Sequence, residues 1–176
     1  QIQKIKDWAS RGNTIISIGS GSKFLIDSKI VKEEILKPEN DPNKDLYLPY
    51  VDAINNKGKE QIGGIILRTN VDLTHPLAFG LEDANLPVYE NNTIWIKPSK
   101  NNYSSVVRYT EDPLIDGFIT DKNYEKIKST VSLLVSKIGK GRAIMFSDNP
   151  NFRGAWYGTN RLFLNALFLG DKISIP

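Results

Sequence analysis

The sequence predicts an α/β domain with a mostly parallel sheet, helices on both faces and an antiparallel β insertion. Three observations point there. A helix–strand–helix unit opens the chain, with Thr14–Ile18 as its strand, and a second closes it, with Arg142–Phe146 as its strand. Between them lie short β-branched runs separated by turn residues rather than by helices. Elements in this order call for a sheet layered with helices. A length of 176 residues suits one domain, residues 1–176.

The elements follow in order. Ile2, Ile5, Trp8 and Ala9 share one face of an opening helix, and Gly12 stops it. Thr14–Ile18 is short and apolar, as a buried strand should be. Gly19–Ser22 makes a tight turn into a helix expected over Lys23–Leu36, and the segment Pro38–Asp45 reads as an exposed loop. Strands are expected at Ile62–Thr69, Val88–Tyr89, Thr93–Ile96, Ser104–Tyr109 and Ile115–Thr120, with Asn91-Asn92 and the run from Ser99 to Tyr103 as turns. Ile127, Val131, Leu134 and Ile138 fall at helical spacing and predict a helix over Tyr124–Ile138. The last helix starts near Gly158 or Thr159, turns Leu162, Phe163, Ala166 and Leu167 inward, and ends at Gly170.

Composition narrows the function. With 23 basic and 20 acidic residues the net charge is only +3, and the lysines are scattered. A nucleic-acid surface needs a basic stripe, so no nucleic-acid partner is expected. No apolar run reaches the length of a membrane span. There is no cysteine, which removes thiolate nucleophiles, disulfides and cysteine-bound metal. His75 is the single histidine, so a two-histidine zinc site cannot be assembled from this chain. No signal peptide is read at the start, and a chain that opens inside a helix is expected to be cut from something longer.

Three groups of residues are candidates for chemistry. Gly19, Ser20, Gly21 and Ser22 sit where a strand hands over to a helix, and backbone N–H groups there suit an anion. The stretch lacks the spacing of a Walker loop, a G-x-G-x-x-G turn or a G-x-S-x-G elbow. It reads either as a structural turn with Ser22 as a helix cap or as a cradle with Ser20 as nucleophile. His75 could serve Ser20 as a base in a hydrolase, or simply pack its turn beside Pro76. Asp148, Asn149, Asn151 and Arg153 follow the last strand, where ligands bind in open α/β sheets. They form either a self-satisfied polar turn, with Arg153 paired to Asp148, or contacts to a ligand or partner domain. Trp95, Tyr103, Trp156 and Tyr157 could present an aromatic surface to a carbohydrate or peptide, or fill the core.

The stretch from Ser147 to Gly170, with "VDLTHPLAFGL" at Val71–Leu81, resembles the C-terminal region of large bacterial zinc carboxypeptidases of the carboxypeptidase A type, the Bacteroidetes-type enzymes above all. In that family a peptidase domain is followed by one similar to class I glutamine amidotransferases. The likeness covers most of the chain. It implies a flavodoxin-like, amidotransferase-like fold, a secreted or periplasmic bacterial parent, and the parent's peptidase domain as partner. The amidotransferase pattern places a cysteine at the turn occupied here by Gly19 and Ser20, and a histidine near Asp148 and Asn149. Neither is present, so the resemblance implies a vestigial site, no catalytic residues and no cofactor in this chain. The parent's zinc would be held by two histidines and a glutamate in the peptidase domain.

Overall fold

The structure, a computed structural model, describes residues 1–37 and 47–175; the loop expected at Pro38–Asp45 lies outside them. Its strands are β1 (Thr14–Ile18), β2 (Ile65–Val71), β3 (Asn85–Glu90), β4 (Ser105–Gly117), β5 (Val131–Ile138) and β6 (Gly141–Phe146). Its α-helices are α1 (Ile2–Ser10), α2 (Ser20–Asp27), α3 (Ala53–Glu60), α4 (Asp121–Ile127) and α5 (Asn160–Leu169). The strands form one sheet in the order β1–β6–β5–β4–β2–β3. Helices cover both faces. Leu162 and Ala166 of α5 pack with Leu133, Val135, Ile144 and Phe146 on one face. Ala9 of α1 and Leu25 of α2 pack with Leu134, Ile138, Ala143 and Met145 on the other.

The α/β class holds, but the sheet is not mostly parallel. β1 pairs with β6 in parallel, and the other four pairings are antiparallel. The reason lies in residues 124–138. A helix there would have carried the chain across the sheet, as a parallel connection requires. Instead α4 stops at Ile127 and Val131–Ile138 is a strand. A strand buried on both faces is a near-continuous apolar run, and it satisfies helical spacing by coincidence. Gly139 and Lys140 then return the chain directly, with Ile138 opposite Gly141, which makes β5 and β6 an antiparallel hairpin.

Other boundaries also move. The helix expected to reach Leu36 ends at Asp27; Lys29 leaves it with φ 54°, and Ile35 is extended in a bridge to Ile96. The strand expected at Thr93–Ile96 reduces to bridges from Ile96 to Ile35 and Val131. The strands expected at Ser104–Tyr109 and Ile115–Thr120 are two arms of β4. The arms meet at a bulge, where residues 110–113 lie opposite Arg68. Pro113 has no N–H to give a ladder and sits inside that bulge. Gly12, at φ 122°, follows α1 as expected, whereas Gly170 stays right-handed and leads into a short 3-10 turn.

Candidate functional site

The carboxyl ends of β1 and β6 lie side by side, with Ile18 opposite Phe146. Gly19 follows β1 with φ 51° and ψ −116°, a conformation that favours glycine, and serves as N-cap of α2. Its N–H donates to the Phe146 carbonyl at 2.9 Å. Ser22 does not cap the helix. Its buried hydroxyl donates to the same carbonyl at 2.7 Å, and Ser17 Oγ lies 2.9 Å away. Because the Ser22 proton is committed, the Ser17 hydroxyl donates to Ser22 Oγ. Hydroxyls therefore tie the turn to the end of β6.

Beneath that turn is a polar floor. Glu90, at the end of β3, is 0% exposed and Asp148, just past β6, is 2% exposed. Glu90 Oε1 accepts from the N–H groups of Asn91 and Asn92, each at 3.0 Å, and Oε2 from the Tyr109 hydroxyl at 3.2 Å. Asp148 Oδ2 accepts from Ser132 Oγ at 2.8 Å. The Ser147 hydroxyl meets that of Tyr109 at 3.4 Å. Asn92 Nδ2 donates to the Ser147 carbonyl at 2.9 Å, which joins the β3 exit to the β6 exit.

Burial pushes the Asp148 carboxyl up to about 7, against the lowering bond from Ser132. Burial first, then the charge of Asp148, raise Glu90 well above the ordinary carboxylate range. Tyr109 is raised by burial and then by the charge of both carboxyls. Two desolvated carboxyls this close disfavour double ionisation, so the pair retains a proton to higher pH than either would in water.

Of the residues expected at the site, Gly19, Ser22 and Asp148 converge here. Ser20 opens α2 and is exposed, and Gly21 rests against Ser17. Asn149 and Arg153 are exposed, and Asn151 is half-buried. Asn149 Oδ1 accepts from the Asn151 N–H at 3.0 Å, a local Asx turn. Arg153 does not pair with Asp148. It is exposed, has φ 52°, and lays its guanidinium 5.2 Å from the centre of the Phe152 ring. His75 lies elsewhere. It caps a 3-10 turn whose Leu77 and Ala78 pack with α5, on the face opposite α2 and Ser20. Its Nδ1 accepts from the Leu77 N–H at 3.1 Å, and burial lowers its pKa. Asp72 Oδ1 accepts from the Thr74 N–H and hydroxyl, and its backbone carbonyl accepts from the His75 N–H at 3.1 Å. Glu90, Tyr109, Asn92 and Ser132 complete the floor although no sequence pattern marks them.

A groove of about 340 Å³ opens beside this corner, lined by Gly64, Ile66, Tyr89, Asp116, Phe152 and Trp156 among others. Tyr89 stacks on Phe152 at 3.9 Å between centroids, and Trp156 lies at 6.4 Å from Tyr89, tilted by 47°. The Trp156 indole N–H donates to the Pro87 carbonyl at 3.3 Å. Of the aromatic residues considered for a surface, Trp95 is core, Tyr103 and Tyr157 are exposed, and Trp156 alone joins a cluster. Among the described residues no three His, Asp or Glu side chains gather in a way that could hold a metal ion. No helix of the described residues is long and apolar enough to cross a membrane.

Fold and site define an α/β domain whose strand-end turn carries a glycine over a closed polar floor. No family model and no curated protein matches the sequence. Several solved structures share the fold, and two of them illustrate it. A Thermoplasma acidophilum protein assigned to GMP synthase is 13% identical with a TM-score of 0.53, over 97% of this chain and 63% of its own. A cytoplasmic protein of Salmonella typhimurium is 10% identical with a TM-score of 0.54, over 99% of this chain and 61% of its own. The chain thus spans less than two thirds of the length of either, and identities this low carry the fold and no activity.

Proposed function

We propose that this chain is a non-catalytic accessory domain of a secreted or periplasmic bacterial zinc carboxypeptidase. The observation that supports this most is Gly19. It holds the turn where the amidotransferase pattern presents its nucleophile, and it has no side chain. The groups beneath it bond one another instead of facing outward. The zinc would belong to a peptidase domain outside these residues, where it would supply activation of a water for C-terminal peptide hydrolysis. This domain would place or stabilise the peptidase domain, or limit access to it.

The test compares release of C-terminal residues by the longer protein with and without residues 1–176, at equal zinc loading. Collapse of activity or folding on removal would mark a structural partner of the peptidase domain. Unchanged activity would mark a targeting or binding appendage. No C-terminal release by the zinc-loaded protein would end the carboxypeptidase reading. A second reading, a binding module for a carbohydrate or peptide, is favoured by the Tyr89–Phe152–Trp156 cluster beside Asn151.

A further inference from the structure

We propose that the groove beside β3 binds an organic cation, a positively charged group on an apolar body, such as an alkylammonium or a basic peptide side chain. This rests on the binding-module reading and names its ligand chemistry. Three aromatic rings and two isoleucines supply the apolar walls. Asp116 is the charged residue lining the groove among the described residues, and no basic residue lines it. Asp116 Oδ1 accepts from the Gly117 N–H at 2.8 Å, which leaves Oδ2 for a ligand. An anion would meet no basic side chain in the lining and would face the Asp116 carboxylate. A sugar would find few partners, because the indole N–H of Trp156 is already spent on Pro87. A cation is drawn both to the carboxylate and to the electron-rich ring faces.

A second observation points the same way. One ring of the cluster already draws a cation: the Arg153 guanidinium sits 5.2 Å from the Phe152 centroid, on backbone at φ 52° that an arginine rarely adopts, which leaves the Tyr89 and Trp156 rings for a ligand. The walls are also set before any ligand arrives. A Cβ on Gly64 would lie 2.4 Å from the Tyr89 hydroxyl, and one on Gly117 would lie 2.9 Å from the Gly64 carbonyl oxygen. Gly64 leaves room for the Tyr89 ring, and Gly117 leaves room for the Gly64–Ile65 backbone beneath it. Preorganised walls lower the cost of binding.

The experiment is calorimetric titration of the whole chain with choline, with its neutral carbon isostere 3,3-dimethylbutan-1-ol, with a Gly-Arg-Gly peptide and with maltose. Choline or the peptide should bind about tenfold more tightly than the isostere. The Asp116→Asn variant keeps the Oδ1 acceptor on an exposed residue and should fold normally by circular dichroism. It should lose about tenfold in affinity for the cation and little for the isostere. Choline binding without the peptide assigns a small free alkylammonium ion, and the reverse assigns a peptide side chain. Isostere or maltose binding as tight as choline would overturn the cation and leave a binding module standing. No binding of any probe up to its solubility limit would overturn both.

Discussion

The corner under Gly19 and the groove beside Tyr89 share strand β3, one residue apart in sequence, yet they are opposites. Glu90 points into a buried set of hydroxyls, amides and a second carboxyl whose bonding capacity is used internally. Tyr89 points the other way, toward an open groove with apolar walls and one uncommitted carboxylate oxygen. Alternation along a strand puts neighbours on opposite faces. A polar cluster at a strand end is thus not in itself a ligand site. What distinguishes the two regions is whether the polar groups have partners already.

The sharpest way to break the contrast is to unmake the floor. Glu90→Ala would strand the buried Tyr109 hydroxyl and the part-buried Asn92 N–H, and would open a cavity. Each orphaned buried group costs roughly 1–3 kcal/mol. Relief of repulsion with Asp148 offsets part of that, so a net loss of about 3 kcal/mol is expected by urea denaturation. Glu90→Gln keeps an acceptor and removes the charge, and it should cost far less. Equal losses for the two variants would mean that charge rather than hydrogen bonding holds the floor.

A milder perturbation is pH. The Asp148 carboxyl titrates near 7 in the folded chain and near its ordinary value, 3.8, when unfolded. Between those values the folded state holds a proton that the unfolded state has released. Stability is therefore fully present below the unfolded value and falls as pH rises toward 7. The raised Glu90 carboxyl adds to the same slope. His75, lowered by burial, opposes it, because the unfolded imidazole takes up a proton as pH falls through 6.5. Two carboxyls against one imidazole leave a net decline in melting temperature from pH 5 to pH 8. Asp148→Asn should flatten it. A melting temperature that rises across this range in the native chain would show the carboxyls ionised and well solvated.

Much of this architecture was legible and part was hidden for physical reasons. β1, β6 and α5 were readable because each has a clear turn or cap beside it, and the Gly19 turn was placed correctly as the junction. β5 was misread because burial on both faces erases the period-two signal. Asp148 was found because it follows the last strand. Glu90 was not, because an acid before Asn91-Asn92 looks like the start of an exposed turn. Its surroundings depend on Tyr109 and Asp148 arriving from positions far along the chain, which local spacing cannot report. The groove was hidden in the same way, with Trp156 visible and its partners Tyr89 and Phe152 unremarked.

The smallest effect separates geometry from space at the turn itself. A Cβ on Gly19 would find the Ser147 carbonyl at 3.8 Å and Asn92 Nδ2 at 4.0 Å, ordinary contacts. Gly19→Ala therefore meets no clash, and its whole cost is backbone strain at φ 51°, about 1–3 kcal/mol. That loss should leave choline affinity in the groove unchanged, since Gly19 touches none of its walls. A loss well above that range, or a change in groove affinity, would mean that the turn and the groove move together. The two regions would then be one coupled site rather than a closed polar corner beside an open groove.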